Sequence, residues 1–173
     1  MTKKVFYWEF YGLIGVVILW AILHYSYKFT GLSLFSAVNG SIWEHVKIAF
    51  FSLFTLYIVE SFYIAKYCKN FWYGKMVGLM VLIVTTLILF YIFNNIGLSI
   101  IITDVIAGII GFLFAQLLSY RILISEVNHS KYQRVYISMI IILMVPFFVF
   151  TYYPIKNDLF KDLTTNAYGI FDK

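Results

Sequence analysis

Charge is scarce in this 173-residue sequence. Asp, Glu, Lys and Arg make up 12% of it against 62% hydrophobic residues, and mean hydropathy is +0.88. A soluble domain carries about a quarter charged residues, so this composition cannot build a water-facing shell. The single cysteine, Cys68, excludes an intramolecular disulfide and a cysteine-based metal cluster. The three histidines include no His-x-x-x-His pair, so metal ligation would have to join separate helices. Only two prolines occur: Pro146 is placed to kink the last apolar run and Pro154 to end it. No internal repeat, low-complexity tract or gap large enough for a soluble domain is present.

Long apolar runs are there instead. A helix needs about 20 such residues to cross the hydrocarbon of a bilayer, and five runs qualify: Val5 to Phe29, Ser41 to Ala65, Met76 to Phe93, Leu98 to Tyr120 and Tyr136 to Tyr153. The expectation is an all-α, polytopic membrane bundle of five transmembrane helices in residues 1–153, with residues 154–173 as a separate tail. The first run is too long for a signal-peptide core and lacks an Ala-x-Ala site, so it reads as an uncleaved helix. The net charge of +5 would point to nucleic acid in a soluble protein. Here the basic residues fall between spans and set orientation, and no nucleic-acid partner is expected. Lys3, Lys4, Lys66, Lys69, Lys75, Arg121, Lys131 and Arg134 share one side if the spans alternate, while Lys28 and Lys47 stand on the other. The positive-inside rule then predicts a cytoplasmic N-terminus, an external C-terminus and a multi-pass protein of the cell membrane.

That orientation gathers unusual side chains in one outer layer. His24 lies near the end of the first span, "NGSIWEHVK" (residues 39–47) opens the second, Asn94 and Asn95 precede the fourth, and Tyr152, Tyr153 and Pro154 close the fifth. Asp104 lies under two turns into the fourth span, about 9 Å deep. Ser41, Glu44, His45 and Ile48 form one helical stripe. Lys47 points away from His45 and is expected to snorkel to headgroups or lipid phosphate. Plain structural readings exist for several of these. Ser41-x-x-Glu44 is a capping box, His24 fits an interfacial histidine, and Asp104 could be packing glue through Tyr or Asn. A carboxylate inside a span nevertheless costs a few kcal/mol and is usually paired or functional. Glu9 and Glu60, at the cytoplasmic ends of the first two spans, could bind one another's neighbours structurally or receive Lys75, but a solvated or snorkelled position is expected. Trp8, Tyr57, Tyr63, Trp72 and Tyr73 read as the inner aromatic belt, and Ala107, Gly108 and Gly111 as a close-packing face. The tail's Leu159, Phe160, Tyr168 and Phe171 are more apolar than disorder requires. It is expected to fold back over the outer face, lowering Asp162 or Tyr168 towards the polar layer, beside an interfacial or re-entrant segment, Thr30 to Val38.

The segments "FYWEFYGL", "LHYSYKFTG", "FSAVNGSIWEHVKIAFF", "YIVESFYI", "TDVIAGIIGF" and "TYYPIKNDLFKDLTTNAYGI" resemble a family of small bacterial polytopic membrane proteins of unknown function. The most specific piece is Asn39-x-Ser41-x-Trp43-Glu44-His45-x-Lys47. The sequence departs from that pattern at Gly40, where an acid is expected, and at Ile155 and Leu163, where prolines are. The resemblance implies the architecture and no activity.

Three functions compete. The mixture of histidine, carboxylate and lysine at one depth favours a membrane-embedded hydrolase or transferase acting on a lipid or lipid-linked substrate. In that reading His24, His45 and Asp104 ligate a divalent metal such as Zn²⁺, or His45 acts as a base held by Glu44 or Asp104. Ser41, Asn39, Trp43, Lys47, Tyr153 and Tyr168 are the candidate substrate contacts. The alternatives are a small-molecule-binding or transport subunit, and a structural or assembly protein whose polar residues only fasten helices. Besides the bilayer itself, no protein partner can be read.

Overall fold

The computed structural model describes residues 2–26 and 32–170. The end of the first predicted span to Phe29, Lys28, the Thr30–Gly31 start of the interfacial segment, and Phe171 lie outside the described residues. Within them are five helices: α1 (Thr2–Tyr25), α2 (Ile42–Ile64), α3 (Phe71–Ile96), α4 (Ile100–Leu123) and α5 (Gln133–Tyr152), with short 3₁₀ turns at Ala65–Tyr67 and Ser130–Tyr132. All five are long and apolar enough to cross a membrane, and no strand is present among the described residues. At 1.5 Å per residue they measure about 30 to 39 Å.

Local chemistry sets the helix limits. Ser41 caps α2 in extended conformation, its Oγ accepting the Glu44 N–H. The α3–α4 connection turns on Gly97, whose φ of +82° lets its N–H reach the carbonyls of Phe93 and Asn94. Nothing lies within 4 Å of a Cβ built there, so the backbone conformation alone selects glycine. Pro146 falls inside α5, which continues through it to Tyr152.

The helices alternate in direction. The end of α1 and the starts of α2 and α4 meet at one end, where His24, His45 and Asp104 are in contact. At the other end Lys75 of α3 meets Glu9 of α1 and Glu60 of α2. The α3–α4 hairpin packs backbone against side chain at small residues. A Cβ on Gly111 would stand 2.8 Å from Thr86 and 2.9 Å from Leu82, and one on Gly74 would overlap Leu123. Gly108 makes the slot for the Trp20 indole, 3.3 Å from where its Cβ would be. The close-packing face expected at Ala107, Gly108 and Gly111 is therefore present. Between the two ends Ile48, Phe50, Phe51, Leu53, Leu79, Leu82, Phe112 and Phe147 form a continuous apolar core.

Three expectations fail at the polar ends. Helix α3 begins at Phe71, five residues before the predicted Met76, because Lys75 is not a loop cation but a fully buried side chain between carboxylates. Glu9 and Glu60 are neither solvated nor snorkelled; they are 4% and 0% exposed and are what neutralises Lys75. Tyr57 belongs to no belt. It is 1% exposed, and its ring lies under the Lys75 ammonium, 4.2 Å away. Trp8 and Tyr63 do stack at that end, with centroids 4.5 Å apart.

Candidate functional site

Three helix ends build one centre. His24 arrives in the last turn of α1, His45 in the first turn of α2 behind the Ser41 cap, and Asp104 in the second turn of α4. Asp104 Oδ2 lies 3.1 Å from His45 Nδ1 and 3.5 Å from His24 Nδ1. The imidazole centroids are 5.6 Å apart and tilted by 31°. Phe90 of α3 stacks on His45, with centroids 5.5 Å apart. Asp104 and His45 are buried while the His24 side chain is 38% exposed, so the centre is closed below and open at its rim.

The polar contacts here are close without being aligned as hydrogen bonds. His24 Nδ1 and both ring nitrogens of His45 are buried and have no hydrogen-bond partner. Buried polar nitrogens normally have one. The carboxylate oxygen therefore faces two nitrogens whose lone pairs or N–H bonds are not spent elsewhere. One ligand atom from each of the three residues lies within 4.8 Å of the others. Tetrahedral ligands at zinc-to-nitrogen bond lengths stand about 3.3 Å apart, and the two histidine-to-carboxylate distances bracket that value.

Above the centre lies a cavity of about 500 Å³. Its floor is His24, His45 and Asp104; its walls include Trp20, Ile101 and Val105, and its rim Asn39, Gly40 and Asp162. Ile101 is 76% exposed, so the apolar wall between α1 and α4 faces away from the bundle. Trp20 is a member of the site that sequence reasoning misses. Its Nε1 is buried without a partner beside the cavity, and a tryptophan inside an apolar run carries no sequence signal that separates this position from packing.

Lys47 contradicts its expected role. It is fully buried, not snorkelled, with its Nζ 2.6 Å from Glu44 Oε2, 3.0 Å from Ser33 O and 2.9 Å from Thr151 Oγ1. Its helix face looks at α5 and the chain before α2, and Glu44, one turn earlier, supplies the opposite charge. The same Glu44 oxygen accepts the Val38 N–H at 2.9 Å. The capping box is thus half formed: Asn39 Oδ1, not Glu44, takes the Ser41 N–H. Glu44 is thereby engaged with Lys47 and Val38, and the partner of His45 is Asp104.

The remaining candidates divide. Asn39 lines the cavity and donates to Gly169 O at 3.3 Å. Ser41 is a cap. Trp43 packs on Phe147, Phe150 and Phe160 at 4.8, 5.5 and 5.0 Å and serves as a fastener between α2, α5 and the tail. Tyr153 is 77% exposed and takes no part in the cavity. Tyr168 is spent on the backbone bridge with Lys161, outside the cavity lining. Asn94 and Asn95 are exposed in the last turn of α3.

Residues of the tail pack against this end of the bundle. Leu159 O accepts the Trp43 N–H, and Asp162 Oδ2 accepts the Gly40 N–H at 2.8 Å. The other Asp162 oxygen takes the Thr164 N–H and hydroxyl and the Thr165 N–H. Burial works to raise the Asp162 carboxyl, but these four donors outweigh it and hold the group below the usual carboxylate range. Docking of the tail is therefore expected to keep its full contribution above about pH 4, the ordinary carboxyl value, and to lose it as pH falls towards the depressed one. Asp162→Ala removes all four bonds. It is expected to raise the undocked population about 10- to 100-fold, equivalent to about 1.5–3 kcal/mol for hydrogen bonds to a charged group. Faster proteolysis within residues 154–170 at neutral pH is the readout, and an unchanged cleavage rate would contradict it.

No curated protein and no solved structure matches the chain. One family model does, over residues 1–170. The His24–His45–Asp104 centre thus sits in a chain that belongs to the family of unknown function DUF6512.

Proposed function

We propose that this protein is an integral protein of the cell membrane whose His24–His45–Asp104 centre holds a divalent metal and hydrolyses, or transfers a group from, a lipid or lipid-linked substrate. The observation that carries this reading is the convergence of two imidazoles with unpartnered nitrogens on one carboxylate oxygen from three separate helices. Two histidines and a carboxylate suit Zn²⁺ with one position left for water or substrate. A bound ion there would supply Lewis acidity and lower the pKa of a water molecule towards neutrality.

The chain's own groups divide the remaining work. Asp104 Oδ2 faces both imidazoles, which leaves Oδ1 to accept the proton of the attacking water or hydroxyl. Glu44 and Asp162 are saturated by other donors and do not compete for that role. Trp20, Ile101 and Val105 give the cavity an apolar wall for an acyl or prenyl chain, while the exposed rim of His24 admits the polar part. The seven exposed cations Lys3, Lys4, Lys66, Lys69, Arg121, Lys131 and Arg134, in helix ends and the turns between them, lie at the opposite end of the bundle. With Lys75 removed from the count the bias persists, and by the positive-inside rule it supports an external cavity.

Metal analysis of protein purified in detergent tests the reading. About one zinc-type ion per chain is expected, with a lower melting temperature after chelation. Absence of metal from protein grown with zinc, together with melting indifferent to chelator and to added Zn²⁺, would overturn it.

A further inference from the structure

The end of the bundle opposite the His–Asp centre carries a second buried polar cluster. Lys75 Nζ lies 2.6 Å from Glu9 Oε1 and is also paired with Glu60 Oε2. The three side chains are essentially sealed: the Glu9 residue is 4% exposed, Glu60 and Lys75 0%. Helix α4 adds Gln116, whose Nε2 donates to Glu9 O, and Ser119, whose Oγ donates to Glu9 Oε1 at 3.3 Å. Helix α2 adds Tyr57 beneath the ammonium. From the α2–α3 connection comes Cys68, buried; burial pushes its thiol up to about 11, so it remains neutral and contributes no charge. These are the titratable and polar groups that face the cluster from the surrounding elements.

Counted with all three groups ionised, the cluster holds two negative charges and one positive. An uncompensated charge in so dry a place is costly, and such groups normally neutralise instead. The hydrogen-bond inventory has the same imbalance. Glu9 Oε2, Glu60 Oε1 and Gln116 Oε1 are buried acceptors without a donor, against one buried hydroxyl of the cluster without a partner, that of Tyr57. Adding one proton would cancel the excess charge and turn one unmatched acceptor into a donor. A metal cation fits poorly, because the ammonium already occupies the space between the carboxylates and would repel it. The wall is also tight: even a Cβ on Gly12 would stand 2.9 Å from Glu60 Oε1 and 3.3 Å from Gln116 Nε2. The two carboxylates are not equivalent. Both receive the ammonium, but Glu9 Oε1 also accepts the Ser119 hydroxyl, which suits an ionised group, whereas Glu60 is the deeper and less solvated.

We infer that Glu60 is a proton-binding site, carrying an exchangeable proton beside the ionised pair of Lys75 and Glu9. Release converts the Glu60 acid to carboxylate and passes the proton to water at this end of the bundle, with Glu9, the least sealed of the three, next to the route. The site is independent of the metal centre: it lies fifteen residues away along α2, about 22 Å at 1.5 Å per residue.

Infrared spectroscopy of the full-length protein in detergent at neutral pH tests this. A protonated carboxyl stretch is expected that shifts in deuterated water, disappears in Glu60→Gln and keeps its frequency in Glu9→Asp, which preserves the charge count of the cluster. If Glu60→Gln does not fold, Glu60→Asp serves instead, and its substitution must move the frequency of that stretch. A spectrum with every carboxyl ionised, or a stretch that Glu60 substitution leaves in place, would overturn the assignment.

Discussion

Lys75→Met is expected to cost the protein a large part of its stability. The substitution keeps the apolar stem and removes only the ammonium that Glu9 and Glu60 share. Breaking a buried ion pair by deleting one partner typically costs about 3–5 kcal/mol, because the other charge stays buried without compensation. A whole domain has about 5–15 kcal/mol to lose. Melting in detergent and monodispersity on size exclusion are the measurements: a large fall in melting temperature or an aggregated product is expected. The control is the triple variant Lys75→Met, Glu9→Gln, Glu60→Gln, in which no charge remains and much of the stability should return. Wild-type melting of Lys75→Met alone would show that the ion cluster contributes little to the folded state.

How far the sequence announces these features depends on direction in space. Depth along a helix axis is legible, because each residue advances by 1.5 Å and the apolar runs mark where the axis begins. Counting along the runs assigns His24, His45 and Asp104 to one layer, and their side chains do meet. Azimuth is not legible in the same way. In a soluble helix the polar face reveals which side is out, but these helices are apolar towards both lipid and core. So Lys47 reads as a snorkelling lysine although it points inward to Glu44, Ser33 and Thr151. For the same reason Tyr57 reads as belt although it underlies Lys75, and Glu9 and Glu60 read as interfacial although they are sealed. Each error concerns which neighbour a side chain faces, and that is settled only when five helices pack.

A spacing along the chain connects the two polar layers. Glu9 precedes His24 by fifteen residues in α1, His45 precedes Glu60 by fifteen in α2, and Asp104 precedes Ser119 by fifteen in α4. In α3 Lys75 precedes Phe90, the residue stacked on His45, by the same number. Fifteen residues make a little over four turns, so each pair stays within about 60° of one helix face and about 22 Å apart. Hydrocarbon is about 30 Å thick. Each layer then sits a few ångströms inside a boundary of the apolar slab, near enough to water for exchange and deep enough for charges to need partners. Four helices with this register can hold one centre at each end only if they pack without longitudinal slip, which the small residues of the α3–α4 hairpin and the Trp20–Gly108 slot enforce.

Asp104→Asn should separate chemistry from packing at the His–Asp centre. The change preserves shape and a carbonyl oxygen but removes the charge that both imidazoles face at 3.1 and 3.5 Å. If the centre holds a metal, loss of its one anionic ligand is expected to weaken binding more than about 100-fold, beyond the 10- to 100-fold typical of disturbing a ligand's supporting contacts. The purified variant would then be folded and empty of metal. Wild-type protein would also release its ion on acidification, since histidine ligates only when neutral. Were Asp104 merely a fastener between α1, α2 and α4, the outcome reverses: Asp104→Asn would lower the melting temperature equally in chelated and zinc-supplemented protein. Equilibrium dialysis against Zn²⁺, paired with melting of the same samples, distinguishes the two. A folded variant that still binds zinc with wild-type affinity would take Asp104 out of the metal centre altogether.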